Sequence, residues 1–262
     1  MSLVDLHLHL LPGVDDGART LEESVEFARR MVADGVVEAT VTPHVGSGLP
    51  YDPLTIPGRT ADLRAALEAE RIPLRLRPGG ELHPSGARRI GDTLLRGIAQ
   101  GPRGSRWILF EVPFTGIDDE FLRDCRLLRR RGYGILIAHP ERAAGFTDGG
   151  LDRLRAEIEA GSLLQVNASS LNGDHGPEAQ LGGEALVRAG LAFVIASDAH
   201  PGTRELTLGR GEELLRALGL TPVAAARLAS DNPRFLLEQG IPRLPRWLDD
   251  LPARLRAAAR AV

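Results

Sequence analysis

The chain has 262 residues, 43% hydrophobic and 26% charged, the composition of a folded globular protein. A net charge of −3 and a pI of about 6.2 give no basic field for nucleic acid, and one cysteine excludes an internal disulfide framework. All 32 basic residues are arginine, so Schiff-base lysine chemistry, a Walker-type phosphate lysine and a carbamylated-lysine metal bridge are excluded.

The first stretch, Leu3 to Leu10, reads as a strand. Val4, Leu6, Leu8 and Leu10 alternate with Asp5, His7 and His9, and a period of two sets both histidines on one face, ~6–7 Å apart along the chain. A turn follows with Asp15, Asp16 and Gly17. Thr20 caps a helix running to Val32, Glu23 completes the capping box, and Gly35 suits its C-terminal cap. The next strand, Val36 to Thr42, leads into Pro43-His44. Val45 to Gly58 reads as a long Gly- and Pro-rich loop, suited to a lid or a substrate contact. A helix from Thr60 to Glu70 precedes a strand from Leu74 to Pro78, then Gly79-Gly80-Glu81.

A weaker helix, Gly86 to Gly97, precedes the strand Trp107 to Pro113, which carries Glu111. Asp118 caps a helix through Arg131 that Gly132 stops. The strand Gly134 to Ala138 ends in His139-Pro140-Glu141-Arg142. After a helix from Leu151 to Ala160, the strand Leu163 to Val166 ends in Asn167-Ala168-Ser169-Ser170. A helix from Glu178 to Ala189 leads to the strand Ala192 to Ala196, which ends in Ser197-Asp198-Ala199-His200. Helices at Leu206 to Leu218, Pro222 to Ala229, Pro233 to Gln239 and Leu248 to Arg260 complete the chain.

Seven strand-to-helix units with short, mostly apolar strands predict a parallel sheet buried on both faces. No linker divides the chain, so residues 1–262 are expected to form a single domain with a helical extension over about 241–262. An α/β barrel of βα units is the first choice of architecture and a doubly wound open sheet the second. No apolar run is long enough for a transmembrane segment and no signal peptide is apparent, so a cytoplasmic protein is expected.

His7, His9, Asp16, His44, Glu81, Glu111, His139, Asp198 and His200 all fall at or just beyond the C-terminal ends of strands. In an α/β barrel those ends share one face, where active sites are built. Each residue alone has an ordinary reading as a turn or hydrogen-bonding group; nine on one face do not. Glu111, between Phe110 and Val112, is costly to bury unless paired or ligating. Imidazole and carboxylate donors without thiolate suit Mn, Fe(II) or Zn. Nine donors exceed the needs of one ion, so two or three divalent ions are expected, with Glu111 or Asp198 bridging. Such a cluster turns water into hydroxide near neutral pH and clamps oxyanion charge, which is chemistry for hydrolysis of a phosphate ester.

These residues resemble the PHP (polymerase and histidinol phosphatase) family of metal-dependent phosphoesterases. Within it, they most resemble the bacterial manganese-dependent protein-tyrosine phosphatases linked to capsule and exopolysaccharide production. The matching stretches are Asp5-Leu6-His7-Leu8-His9, Pro12 to Gly17, Thr42-Pro43-His44, Gly80-Glu81, Leu109-Phe110-Glu111, Ile137 to Arg142, Val166 to Ser170, Ile195 to His200 and Asp231-Asn232-Pro233. The resemblance covers roughly Leu3 to Gly240. It implies a distorted (β/α)7 TIM-like barrel of PHP type, up to three metals with manganese first and iron or zinc as alternatives, and a ligand role for the nine residues, with Asp16 preferred to Asp15. It also implies that Arg142 and Arg204 bind phosphate or assist catalysis. The implied substrate is a phosphotyrosine protein, such as a bacterial tyrosine kinase of polysaccharide synthesis. Two other functions fit less well: a small-molecule phosphatase such as histidinol phosphatase, and an amidohydrolase-like metallohydrolase. A metal-free scaffold is opposed by the full donor set.

Cys125 and Arg131 match the Cys-x5-Arg spacing of cysteine-dependent phosphatases, but Phe121 to Leu128 reads as a helix with Cys125 on its apolar face, so a core role is expected. His83 and His175 read as loop residues without a role. In the extension, Trp247, Leu248, Leu251 and Leu255 are expected to pack on the barrel or on a second subunit.

Overall fold

The computed structural model describes residues 2–241. The expected packing of the C-terminal extension lies outside the described residues, apart from Ile241. In chain order the elements are β1 (Leu3–Leu8), α1 (Leu21–Ala33), β2 (Val36–Val41), β3 (His44–Val45), α2 (Ile56–Ala69), β4 (Arg75–Pro78), β5 (Glu81–Leu82) and α3 (Asp92–Ile98). Then come β6 (Trp107–Glu111), α4 (Asp119–Arg130), β7 (Gly134–Ala138), α5 (Leu151–Glu159), β8 (Leu163–Asn167) and α6 (Ala168–Leu171). They end with α7 (Pro177–Arg188), β9 (Ala192–Ala196), α8 (Leu208–Ala217), α9 (Pro222–Ala226) and α10 (Asn232–Glu238).

The fold is mixed α/β with parallel sheets. One sheet has the order β1-β2-β4 and the other β3-β5-β6-β7-β8-β9, and every pairing between these strands is parallel. Backbone hydrogen bonds join them at the ends of β1 and β9: His9 N–H donates to Ala199 O at 2.9 Å, and Asp198 N–H to His7 O at 2.9 Å. Along the chain, β3 continues β2 after Thr42-Pro43, and β5 continues β4 after Gly79-Gly80. Pro43 has no N–H to give a ladder, and the glycines admit close neighbours. An added Cβ on Gly80 would lie 2.8 Å from Ile98 Cγ2.

Both faces of the strands are buried, as short apolar runs predict. Along β6, Ile108 and Phe110 pack into the larger core with Phe121, Cys125 and Leu128 of α4. Trp107 and Leu109 point into a smaller cluster with Val4, Leu6, Leu136, Ala138 and Val194. Leu236 and Leu237 of α10 and Ile241 also pack into that cluster, and the Trp107 indole N–H donates to Leu236 O at 2.9 Å. Because Trp107 begins β6 and Glu111 ends it, α10 covers the end opposite the polar residues.

Several boundaries differ from expectation. Helix α2 starts at Ile56, not Thr60, because Pro57 sits in its first turn, where a missing N–H costs nothing. The loop after β3 is shortened by this and by the 3-10 turn Pro53–Thr55. The helix read over Gly86 to Gly97 is a turn at Pro84–Gly86 and a separate α3 capped at Gly91. Strict alternation also fails in β1: a register shift between Asp5 and Leu8 puts Leu6 in the smaller cluster and Leu8 in the larger.

Candidate metal centre

The nine donor residues expected from the sequence meet at one place. Among the described residues they form four overlapping groups: His9-Asp16-His44-His200, His7-His9-Asp198, His7-Glu81-His139 and His44-Glu81-Glu111, each with donor atoms within 4.8 Å of one another. His7 Nε2 lies 3.3 Å from His9 Nε2, and 3.4 Å from both Glu81 Oε2 and Asp198 Oδ1. His9 Nε2 is 3.5 Å from the same two oxygens. Asp16 Oδ1 lies 3.3 Å from His44 Nε2 and 3.2 Å from His200 Nε2. Metal–donor bonds of ~2.1 Å at tetrahedral or octahedral angles separate neighbouring donors by ~3.0–3.5 Å.

The local backbone builds this arrangement. Gly17 lets the turn after β1 fold back on His9: an added Cβ would lie 2.1 Å from His9 O. That turn places Asp15 so that its Oδ2 accepts from His9 Nδ1 at 2.6 Å and from His44 N–H at 3.0 Å. Asp15 thus orients His9, while Asp16 turns its oxygen towards His44 and His200. His139 and Asp198, the residues just past β7 and β9, have φ values of +35° and +49°. Such conformations cost about 1–3 kcal/mol each outside glycine and persist where the surroundings impose them. Tyr51, in the shortened loop, donates its hydroxyl to His44 O at 2.5 Å.

Four donor atoms of the cluster are buried without a hydrogen-bond partner: His44 Nδ1, Glu81 Oε2, Glu111 Oε2 and His139 Nδ1. His44 Nδ1 and Glu81 Oε2 are 2.9 Å apart but lack hydrogen-bond geometry. Buried groups are ordinarily satisfied, because each orphan costs about 1–3 kcal/mol. These orphaned atoms, the imidazole and carboxylate donors and the donor spacing fit divalent cations.

The charges of the cluster depend on one another. Burial pushes Glu111 up to about 8, helped by the charge of Glu81. Burial opposes ionisation of Asp198 too, but the charges of His7, His139 and Arg204 hold it well below the usual carboxylate range. Burial works to lower His9 and His44; Asp15 overrides it at His9, which stands at about 9, and Glu81 and Asp16 at His44, at about 11. Burial and Arg142 lower His139 to about 4.

Both expected arginines reach the cluster. Arg142 Nη1 donates to Asp198 Oδ2 at 2.9 Å, and its guanidinium lies 4.6 Å from the ring centre of Phe114. Arg204 Nη2 lies 2.6 Å from both ring nitrogens of His200 and 3.6 Å from Asp198 Oδ1. Phe114, 48% exposed, has its ring centre 5.7 Å from that of His139. It lines a cavity of about 430 Å³ with Pro113, Phe121, the part-exposed His83 and the buried Glu111. His83 Nε2 is 3.8 Å from Glu111 Oε2, and His175 Nε2 is 2.9 Å from Ser169 Oγ. Neither belongs to a donor group.

Sequence reasoning missed four buried polar residues at the cluster. Asp5 Oδ1 accepts from Ser197 N–H at 3.1 Å, and Glu141 Oε1 from Asn167 N–H at 2.9 Å. Gln165 and Asn167 lie on the inner face of β8, bonded towards His7 and Asp198. The rule applied to Glu111, a polar residue inside an apolar strand, would also have found Gln165 in Leu163-Leu164-Gln165-Val166.

Fold and site together define a parallel α/β protein whose strand ends gather a donor set suited to divalent metals. The family model described as capsular polysaccharide synthesis, CpsB/CapC, matches residues 3–238, and the chain belongs to this family. It is 31% identical to the tyrosine-protein phosphatase YwqE of Bacillus subtilis over 202 residues, 76% of this chain and 77% of YwqE. It is 32% identical to CapC of Staphylococcus aureus over 203 residues, 76% of this chain and 77% of CapC. A solved structure from the pair YwqE of Bacillus subtilis and CpsB of Streptococcus pneumoniae, both metal-dependent tyrosine phosphatases, superposes at a TM-score of 0.77 and 27% identity, covering 93% of this chain and 100% of that one. Histidinol phosphate phosphatase of Lactococcus lactis superposes at 0.53 with 15% identity over 84% of this chain and 95% of that one, a likeness of fold alone.

Proposed function

We propose that this protein is a metal-dependent phosphatase that hydrolyses phosphotyrosine in proteins. The observation that carries the reading is the convergence of nine imidazole and carboxylate donors with two arginines on one cluster, buried except towards Asp16 and His44. The metal dependence and tyrosine phosphatase activity named for the YwqE–CpsB pair agree with it. His7, His9, Asp16, His44, Glu81, Glu111, His139, Asp198 and His200 are the ligands of two or three ions, manganese by preference and iron or zinc otherwise. When bound, such ions supply Lewis acidity and a nucleophile at neutral pH.

The chain's own residues do the rest. Arg142 and Arg204 flank Asp198 and neutralise charge on the transferring phosphoryl group. Phe114, beside Arg142 and half exposed, offers a flat apolar wall to the phenyl ring of the ester. A phenolate leaving group, with a conjugate-acid pKa of ~10, needs less proton donation than an alkoxide, so no dedicated acid is required.

The two sheets are read as arcs of one distorted (β/α)7 barrel, in which β2 with β3, and β4 with β5, each count as one interrupted strand. The hydrogen bonds between β1 and β9 support this. The barrel is read as one domain of a cytoplasmic protein; no helix among the described residues is long and apolar enough to cross a membrane. A tyrosine kinase of polysaccharide synthesis is the proposed partner, in keeping with the capsular description of the family. The test is turnover of a tyrosine-phosphorylated peptide beside histidinol phosphate by manganese-loaded protein. The peptide is expected to be hydrolysed; exclusive use of histidinol phosphate would overturn the reading.

A further inference from the structure

A chain of four side chains, none exposed by more than 1%, links His7 on β1 to Asp198 beyond β9 by way of β8. Asn167 Nδ2 donates to Asp198 Oδ2 at 2.7 Å, Gln165 Nε2 donates to Asn167 Oδ1 at 2.7 Å, and Gln165 Oε1 lies 3.0 Å from His7 Nδ1. Arg142 donates to the same Asp198 oxygen, so Oδ2 is fully engaged and Oδ1 faces His7 and His9.

The direction of this chain is forced. An ionised carboxylate only accepts, so Asn167 must present its NH2 to Asp198 and its oxygen to Gln165. Gln165 must then present its NH2 to Asn167 and its oxygen to His7. Turning either amide over would set oxygen against oxygen at one end. The last link therefore requires His7 Nδ1 to carry the hydrogen, which leaves the lone pair on Nε2. That nitrogen is the one 3.4 Å from Asp198 Oδ1 and Glu81 Oε2.

We propose that Gln165 and Asn167 are positioning residues, which use the acceptor at Asp198 to hold His7 in the tautomer that presents Nε2 to a divalent ion. The inference rests on the reading of His7 and Asp198 as metal ligands. It explains why two amides occupy an apolar strand where a leucine would bury more easily. A partner on the far ring nitrogen fixes ring orientation and tautomer, and its removal typically weakens metal binding by ~10–100-fold.

The full chain loaded with zinc, which is diamagnetic, allows two measurements. In nitrogen-15-resolved NMR, wild-type His7 is expected to show a slowly exchanging Nδ1–H proton. In calorimetric titration with zinc chloride, Gln165→Leu is expected to weaken one ion by ~10–100-fold, with loss of that proton. Gln165→Glu retains an acceptor for His7 but sets an oxygen against Asn167 Oδ1, so it is expected to restore the proton and only part of the affinity. An Nε2–H tautomer in wild type overturns the inference, as does a folded Gln165→Leu that binds zinc within about twofold of wild type. If Gln165→Leu fails to fold, the wild-type spectrum alone decides. Wild-type protein that takes up no ion at all overturns the metal reading itself; normal uptake with an unaffected variant overturns only the role of Gln165.

Discussion

The two ends of the same strands differ in kind. At the N-terminal end, Val4, Trp107 and Leu236 pack an apolar cluster, and the Trp107 indole N–H is bonded to Leu236 O. At the C-terminal end, buried histidines and carboxylates crowd together, four donor atoms have no hydrogen-bond partner, and His139 and Asp198 hold left-handed backbone. One end is arranged for stability and the other departs from it, which is the usual mark of a site where strain and unsatisfied polarity serve a ligand.

The largest expected effect comes from breaking the polar end. Glu81 appears in two donor groups, and its Oε2 faces His7, His9 and His44. Glu81→Gln keeps the shape and removes the charge. Phosphatase activity is expected to fall by ~10³-fold, on the scale of several kcal/mol of transition-state charge stabilisation. Bound metal falls with it, and the melting temperature in chelator falls too, since His7, His44 and His139 hold Glu81 ionised and the protonated His44 loses its buried counter-charge. Assay, elemental analysis and thermal melting check the three parts; full metal content with full activity would remove Glu81 from the centre.

The opposite end gives the reverse pattern. Trp107 is fully buried, and Trp107→Ala leaves a cavity and removes the indole bond to Leu236 O, which keeps its bond from Gly240 N–H, at a cost of about 3–5 kcal/mol. Denaturant unfolding measures the loss. Activity per folded molecule and metal content are expected to hold, because the cluster lies at the other end of β6.

This asymmetry explains what was legible in the sequence. Most of the nine donors lie in or just after a recognisable apolar run, and period-two reasoning carries as far as the strand end. It does not carry past a change of backbone conformation: His139 and Asp198 are aimed by positive φ, which no side-chain pattern announces. Two-residue strands such as His44–Val45 and Glu81–Leu82 are too short for any period, so their pairing emerged only from the structure. Nothing in the pair Asp15-Asp16 announces that Asp15 is the one turned inward onto His9. Its contact with His9 depends on Gly17 letting the turn close.

Arg142 tests whether the polar end handles phosphate as well as cations. Its guanidinium touches Asp198 and faces Phe114, and it belongs to no donor group. Arg142→Ala is expected to lower kcat/KM for a phosphotyrosine peptide by ~10²-fold, the order of one lost charge-assisted contact to the transition state. Metal content should change little. A parallel fall in metal would mean that Arg142 serves Asp198 rather than the substrate.

Proton competition gives a smaller, graded effect. In the metal-free chain His9 titrates at about 9 and His44 at about 11, so both carry protons at pH 7. Both are raised values, so the protonated form prevails below them and must be discharged before the nitrogen can ligate. Binding therefore releases protons, and the apparent metal affinity rises with pH below about 9, by up to about tenfold per pH unit for each proton released. Calorimetric titration in two buffers of different ionisation enthalpy counts those protons; an affinity flat between pH 6 and 8 would contradict this charge assignment.

The smallest effect on activity belongs to Cys125, whose spacing to Arg131 mimics a nucleophile motif. It lies in the middle of α4, fully buried beside Phe121 and Leu128, and burial pushes its thiol well above the usual range. A phosphate nucleophile needs a thiolate in a loop of backbone N–H groups, whereas a helix interior has already committed its N–H groups to the turn before. Cys125→Ser exchanges the thiol, packed against Phe121 and Leu128 and beside Glu157, for a more polar hydroxyl and is expected to cost about 1–2 kcal/mol of stability with kcat unchanged. If activity vanished while metal content and folding stayed normal, hydrolysis would have to proceed through the larger core and not at the polar strand ends, and the contrast between the two ends would lose its functional meaning.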